Sequence, residues 1–173
     1  METLHVRVVD NFLNYVSSLL FEIYVKKPIV LRSNETVDFS TLIDCDSMQS
    51  LVKTLAEIKT SKLVYKSYDD VRRYFVDSLG VKLSNENDKE IVYAIELRNI
   101  IVHNRCIVDK RFIRKTKEKI SLLNKKYDIN LGLYEKFENI LLSKVIELDS
   151  VSRKHLKICG HRNTSLSKSN TLI

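Results

Sequence analysis

The amino-acid sequence predicts an all-α protein, a compact bundle of about five to six helices, on three observations. Apolar residues recur at intervals of three and four over long stretches, the spacing of helices with one buried stripe. Three Gly and one Pro in 173 residues are too few for the tight turns of a sandwich or barrel. Polar residues suited to helix starts stand just ahead of several of the periodic stretches. With 44% apolar and 29% charged residues, the chain reads as globular. Residues 1–158 are expected to form one domain and 159–173 a basic, flexible tail.

The first helix is predicted over about Val6 to Val25, with Val9, Phe12, Leu13, Val16, Leu19, Leu20 and Ile23 on its apolar side. Pro28 ends it, because the residue before a proline avoids helical geometry. From Pro28 to Cys45 there is no helical period; Val30, Leu31, Val37, Phe39 and Leu42 are expected to anchor an ordered connection with short extended pieces. Asp46 with Gln49 forms a capping-box pattern for a helix to about Lys59, and Ser67 with Asp70 opens another that stops at Gly80. Asn87 with Glu90 starts a helix to about His103 or Asn104. Asp109 caps a basic helix from Lys110 to about Lys126, and a last amphipathic helix covers about Leu131 to Leu156.

No stretch has the run of about 18 uncharged apolar residues that a membrane span needs. Glu2, His5, Arg7 and Asp10 interrupt any signal-peptide core, so a cytoplasmic protein is expected. Cys45, Cys106 and Cys159 are odd in number and widely spaced, which fits reduced thiols. None has a nucleophile's setting. His155, Cys159 and His161 match no zinc spacing, and neither metal nor cofactor is expected. Tyr65, Tyr68, Tyr74 and Tyr93 read as core edges rather than a base-stacking platform, and there is no Gly-rich phosphate loop and no paired Asp/Glu nuclease motif.

The net charge of +7 is unevenly placed. Between Lys110 and Lys126 eight Lys/Arg face a single acid, Glu118, and no acid follows Asp149. Such a surface suits a polyanion such as RNA, with Arg105, Lys110, Arg111, Arg114, Lys115 and Lys119 as candidate contacts. A solvated helix face is the plainer reading of the same run.

The segment from Glu90 to Asn104 is the most informative. At about 100° per residue, Ile91, Ala94, Ile95, Leu97, Ile101 and Val102 share an apolar arc with Arg98 near its middle. Val92, Glu96, Asn99 and His103 form a narrow stripe beside it. A guanidinium amid apolar residues must be paired or solvated. Either Arg98 reaches the helix edge or a core carboxylate while His103 caps the helix end, or the arc faces a cleft where Arg98 meets an anion. On an ideal helix Arg98 and His103 point about 140° apart, so a symmetric partner would have to supply the missing direction.

Arg98-Asn99-Ile-Ile-Val-His103-Asn104, continued by Arg105-Cys106-Ile107-Val108-Asp109, resembles the Arg-Asn-x-x-x-His motif of HEPN domains, found in prokaryotic toxins, CRISPR effectors and RNase L-type nucleases. The likeness spans roughly residues 45 to 155 and departs at Cys106, where Gly is expected. The resemblance implies an all-helical domain that pairs as a homodimer, two Arg-x4-His motifs forming one composite cleft for metal-independent RNA cleavage by the 2′-hydroxyl. Arg98 would bind the scissile phosphate and His103 would move protons. Asn99 would orient His103 or touch the phosphate, Glu96 would fix the imidazole, and Asn104 completes the candidate set. The resemblance further implies a toxin or antiphage-defence role, with an antitoxin or other regulatory protein as a possible partner. Some HEPN toxins carry a modifiable Tyr two residues after the His; Arg105 stands there, so control by tyrosine adenylylation is not expected. The competing functions are a non-catalytic HEPN module that binds RNA or a partner protein, and an unrelated helical interaction protein.

Overall fold

Helix α1, Glu2–Lys26, buries Val9, Phe12, Val16, Leu19, Leu20 and Ile23 along one stripe. That stripe makes it the central element, packed against α3, α5 and α7. Each such side chain contributes about 1.5–3 kcal/mol when fully buried, so this face organises the bundle. The helix starts earlier than the apolar pattern alone predicts and ends beside Pro28. This computed structural model describes residues 1–33, 36–64 and 66–156. Tyr65, the side chain of His155, Cys159, His161 and the basic tail 159–173 lie outside the described residues.

The architecture is all-helical, and the described residues contain no strand. After α1 come a 3-10 turn (Pro28–Leu31), α2 (Phe39–Ile43), α3 (Met48–Val64), α4 (Tyr68–Arg73), α5 (Asp88–Asn104), α6 (Lys110–Thr116) and α7 (Leu131–Leu156). No helix among the described residues is long and apolar enough to cross a membrane.

The local signals behaved unevenly. The Ser67–Asp70 capping box forms as expected, and Asp109 accepts the Phe112 N–H at 2.7 Å. Helix α4 runs on into one π-helical turn, Tyr74–Ser78, and Gly80 at φ 66° then reverses the chain. Elsewhere the expectations need correction. Helix α3 starts at Met48 and runs past Lys59, and Ser47, not Asp46, bonds its first turn through the Ser50 N–H. Asn87 is left-handed and makes no side-chain cap. The 28–45 connection is helical in two short pieces rather than extended, and Val37, Phe39 and Leu42 are exposed rather than anchoring.

The largest correction concerns α6. It ends at Thr116, with Lys117 in the left-handed region, and does not continue to Lys126. The chain doubles back instead. Val108 N–H donates to the Lys125 carbonyl at 3.0 Å, Asn124 N–H to Val108 at 2.9 Å and Tyr127 N–H to Cys106 at 2.8 Å. Three backbone bonds to a distant segment outweigh the helical preference of its Lys and Leu residues, since tertiary contacts override intrinsic propensity.

Candidate functional site

Helix α5 turns Ile91, Ala94, Leu97 and Ile100 into the core. Val102, which the ideal wheel places on the apolar arc, is exposed. Its register against α1 is set near its middle. His5, buried in α1, lies 3.0 Å through Nε2 from the Ala94 carbonyl and packs edge-on against Phe137 of α7. Burial holds this imidazole below its ordinary pKa, with the Ala94 bond working the other way, so His5 is neutral and Nε2 is the donor.

About one turn further along each helix, Asp10 meets Arg98. Asp10 Oδ1 accepts from Arg98 Nε at 2.8 Å, with the two side chains 37% and 24% exposed. The sequence reading left Arg98 with two possible fates, and within one chain its partner is a carboxylate. The second expected pairing differs more. Glu96 is 6% exposed and does not reach His103. Arg111 of α6 grips it with a fork, Nε to Oε2 at 3.1 Å and Nη2 to Oε1 at 3.2 Å. A carboxylate buried to this degree needs such a partner, and the bidentate guanidinium meets that need. Asn99 lies between the two ion pairs, with long bonds from Arg98 Nη1 at 3.4 Å and to Glu96 at 3.5 Å. It therefore orients the arginine and not the imidazole.

Arg111 reaches Glu96 because of the turn that follows α5. Arg105 and Cys106 are both left-handed, at φ 49° and 63°, and the Cys106 N–H returns to the Ile100 carbonyl at 2.9 Å. Left-handed geometry favours glycine, which accounts for Gly being the residue anticipated at position 106. The Cys106 side chain is fully buried, and burial followed by its bond to Glu2 pushes the thiol up to about 11. It stays protonated and is no nucleophile. Asn104 serves the same turn, donating through Nδ2 to the Ile107 carbonyl at 2.6 Å. Its place is structural.

Arg98, Asn99 and His103 line one open cleft of about 870 Å³. Asp10, Asn14 and Ser17 of α1 form one wall, Ser67, Tyr68, Asp69 and Val71 another, and Glu96 with the basic Arg111 and Lys115 completes the lining. Arg98 and His103 both line this cleft although they diverge on the helical wheel. His103 is exposed and hydrogen-bonds to no described residue. Of the basic candidates, Arg111 and Lys115 line the cleft, whereas Arg105, Lys110, Arg114 and Lys119 are exposed and are not among its lining residues. Lys119 stands beyond the end of α6. Tyr68 is buried, and Tyr74 and Tyr93 are half-buried, as core edges should be. Asp10 is the functional candidate that sequence reading missed: an acid beside Val9 on an amphipathic helix carries no local mark of a partner 88 residues away.

No protein-family model, curated protein or solved structure matches the chain.

Proposed function

We propose that this chain is a HEPN-type, metal-independent endoribonuclease, active as a homodimer, in a toxin or antiphage-defence setting under a regulatory partner's control. The observation that carries the reading is the convergence of Arg98, Asn99 and His103 on one open cleft with Arg111 and Lys115. The Arg98 guanidinium has the geometry to neutralise a phosphodiester as charge grows on its oxygens. His103, solvent-accessible and without a hydrogen-bond partner among the described residues, has the chemistry to take the proton from a ribose 2′-hydroxyl. The 2′-oxygen then bonds phosphorus, the bond from phosphorus to the 5′-oxygen breaks, and that oxygen receives a proton. The products are a 2′,3′-cyclic phosphate and a 5′-hydroxyl. A second copy would bring a second His103, so that one imidazole acts as base and the other as acid.

The test is cleavage of total RNA in EDTA, wild type beside His103→Ala, with product ends mapped. Acid–base help is worth about 10²–10⁴-fold, and the variant is expected to lose that much while keeping its fold. Cleavage that requires a divalent metal and leaves 5′-phosphates overturns the reading. Two observations favour a second reading, a non-catalytic module that binds RNA: Arg98 already has a carboxylate partner, and no side chain among the described residues hydrogen-bonds to His103. Tight RNA binding with no cleavage by the dimer would decide for it.

A further inference from the structure

An acid at an anion site opposes the ligand by its charge, so Asp10 in this cleft calls for a reason of its own. The reason lies in which nitrogen it takes. A guanidinium presents five N–H donors in a rigid plane. Asp10 accepts from Nε at 2.8 Å, and Asn99 Oδ1 accepts from Nη1 at 3.4 Å. These two contacts fix the plane, while the end bearing Nη1 and Nη2 retains donors enough for a bidentate grip. A carboxylate that blocked the site would instead take that end with both oxygens.

Asp10 is itself held in place. It is carried by the central helix, about one turn beyond His5, whose buried bond to Ala94 locks α1 against α5 about one turn before Arg98. The acceptor therefore stands on the helix that organises the core, and the arginine it holds lines the cleft beside it. Part of the conformational entropy that a flexible arginine loses on binding is thus lost before the ligand arrives.

We propose that Asp10 is the positioning residue for Arg98: it holds the guanidinium by its Nε edge so that the terminal nitrogens grip one phosphate of an RNA strand. The substrate named here rests on the ribonuclease reading, whereas the hold of Asp10 on an anion-gripping Arg98 is separable from it.

The experiment uses the full chain with Asp10→Ala and Asp10→Asn, each alone and combined with Arg98→Ala. Two readouts are taken: cleavage of a short single-stranded RNA in EDTA, and binding of the same sequence with 2′-O-methyl riboses, which cannot be cleaved. Asp10→Ala is expected to lower kcat/KM about 10- to 100-fold, the cost of a misplaced binding group. It should weaken binding of the methylated strand about threefold or more, although a negative charge has been removed. Asp10→Asn, whose amide oxygen still accepts from Nε, should restore both to within about threefold of wild type. With Arg98→Ala present, neither Asp10 substitution should change binding further. Faster cleavage or tighter binding by Asp10→Ala makes Asp10 a mere competing anion and overturns the proposal. If wild type does not cleave, the ribonuclease reading falls and the binding cycle alone decides: coupling between positions 10 and 98 supports positioning, additive effects refute it. Binding that does not depend on Arg98 at all also refutes it.

Discussion

Acidification from pH 7 to pH 5.5 is expected to destabilise the fold through His5. This side chain is 1% exposed, has its Nε2 against the Ala94 carbonyl and its ring against Phe137, and burial depresses its pKa. In the unfolded chain a histidine titrates near about 6.5. The unfolded state therefore takes up the proton first, and stability, full above about pH 7, is lost as the pH falls through that value. The loss over this interval is at most about 1.2 kcal/mol, the limit for a histidine that stays neutral when folded, from a limiting slope of about 1.36 kcal/mol per pH unit. The Glu2 and Asp70 carboxylates are held below their ordinary values, Glu2 by its bond to Cys106 and Asp70 by its bonds to Ser67, so their own losses come at lower pH. Urea denaturation at both pH values, on wild type and His5→Gln, gives the measurement. Gln retains an N–H for the Ala94 carbonyl but does not titrate, so the difference between the two proteins isolates His5. Equal losses in both proteins would refute the argument, as would a wild type that gains stability at pH 5.5.

Three other outcomes are expected. Arg98→Lys should cleave RNA no better than Arg98→Ala, about 10²- to 10³-fold below wild type, because an ammonium cannot reproduce a planar two-point grip; near-normal single-turnover rates would exclude that grip. Lys117→Gly should stabilise the protein by about 0.5–1 kcal/mol, since Lys117 closes α6 at φ 59°, and an unchanged urea midpoint would contradict it. RNA binding should weaken steeply with salt, and Lys115→Glu and Lys119→Glu should each lower the log–log slope by about 1 or more, with Lys115→Glu alone also slowing cleavage; a salt-independent affinity would reduce the basic surface to a solvated face.

The parts of the fold that were legible in the sequence are those encoded locally. The spacing of Val9, Phe12, Val16 and Leu20 marks α1, and Ser67 with Asp70 marks the start of α4, because each signal and its consequence lie within a few turns. The same holds for α5 and for the Asp109 cap. What was illegible depends on chain segments far apart. Nothing around Lys117 distinguishes a left-handed stop from one more basic helical residue; the pairing of 124–127 with 106–108 decides it. The candidate site divides in the same way. The motif residues were readable as a pattern, but the partners of Arg98 and Glu96 were not, since the choice of Asp10 and Arg111 depends on how α1 and α6 meet α5.

On the proposed ribonuclease reading, the charges around the cleft separate affinity from chemistry. Lys66, Arg98, Arg111 and Lys115 face Asp10, Asp69 and Glu96, leaving one net positive charge with His103 neutral. A cleft so nearly balanced cannot by itself hold a polyanion tightly, because its attraction for each phosphate is largely cancelled within a few ångströms. The steep, salt-sensitive part of RNA binding is then expected from Lys115 together with the exposed Arg105, Lys110, Arg114 and Lys119. The paired groups inside are then arranged for direction: Arg111 is spent on Glu96, and Arg98 is held at one edge with donors to spare. It follows that substitutions on the rim move affinity with little change in the rate at saturating RNA. Substitutions at His103 move that rate with little change in the salt slope, whereas substitutions at Arg98 lower both.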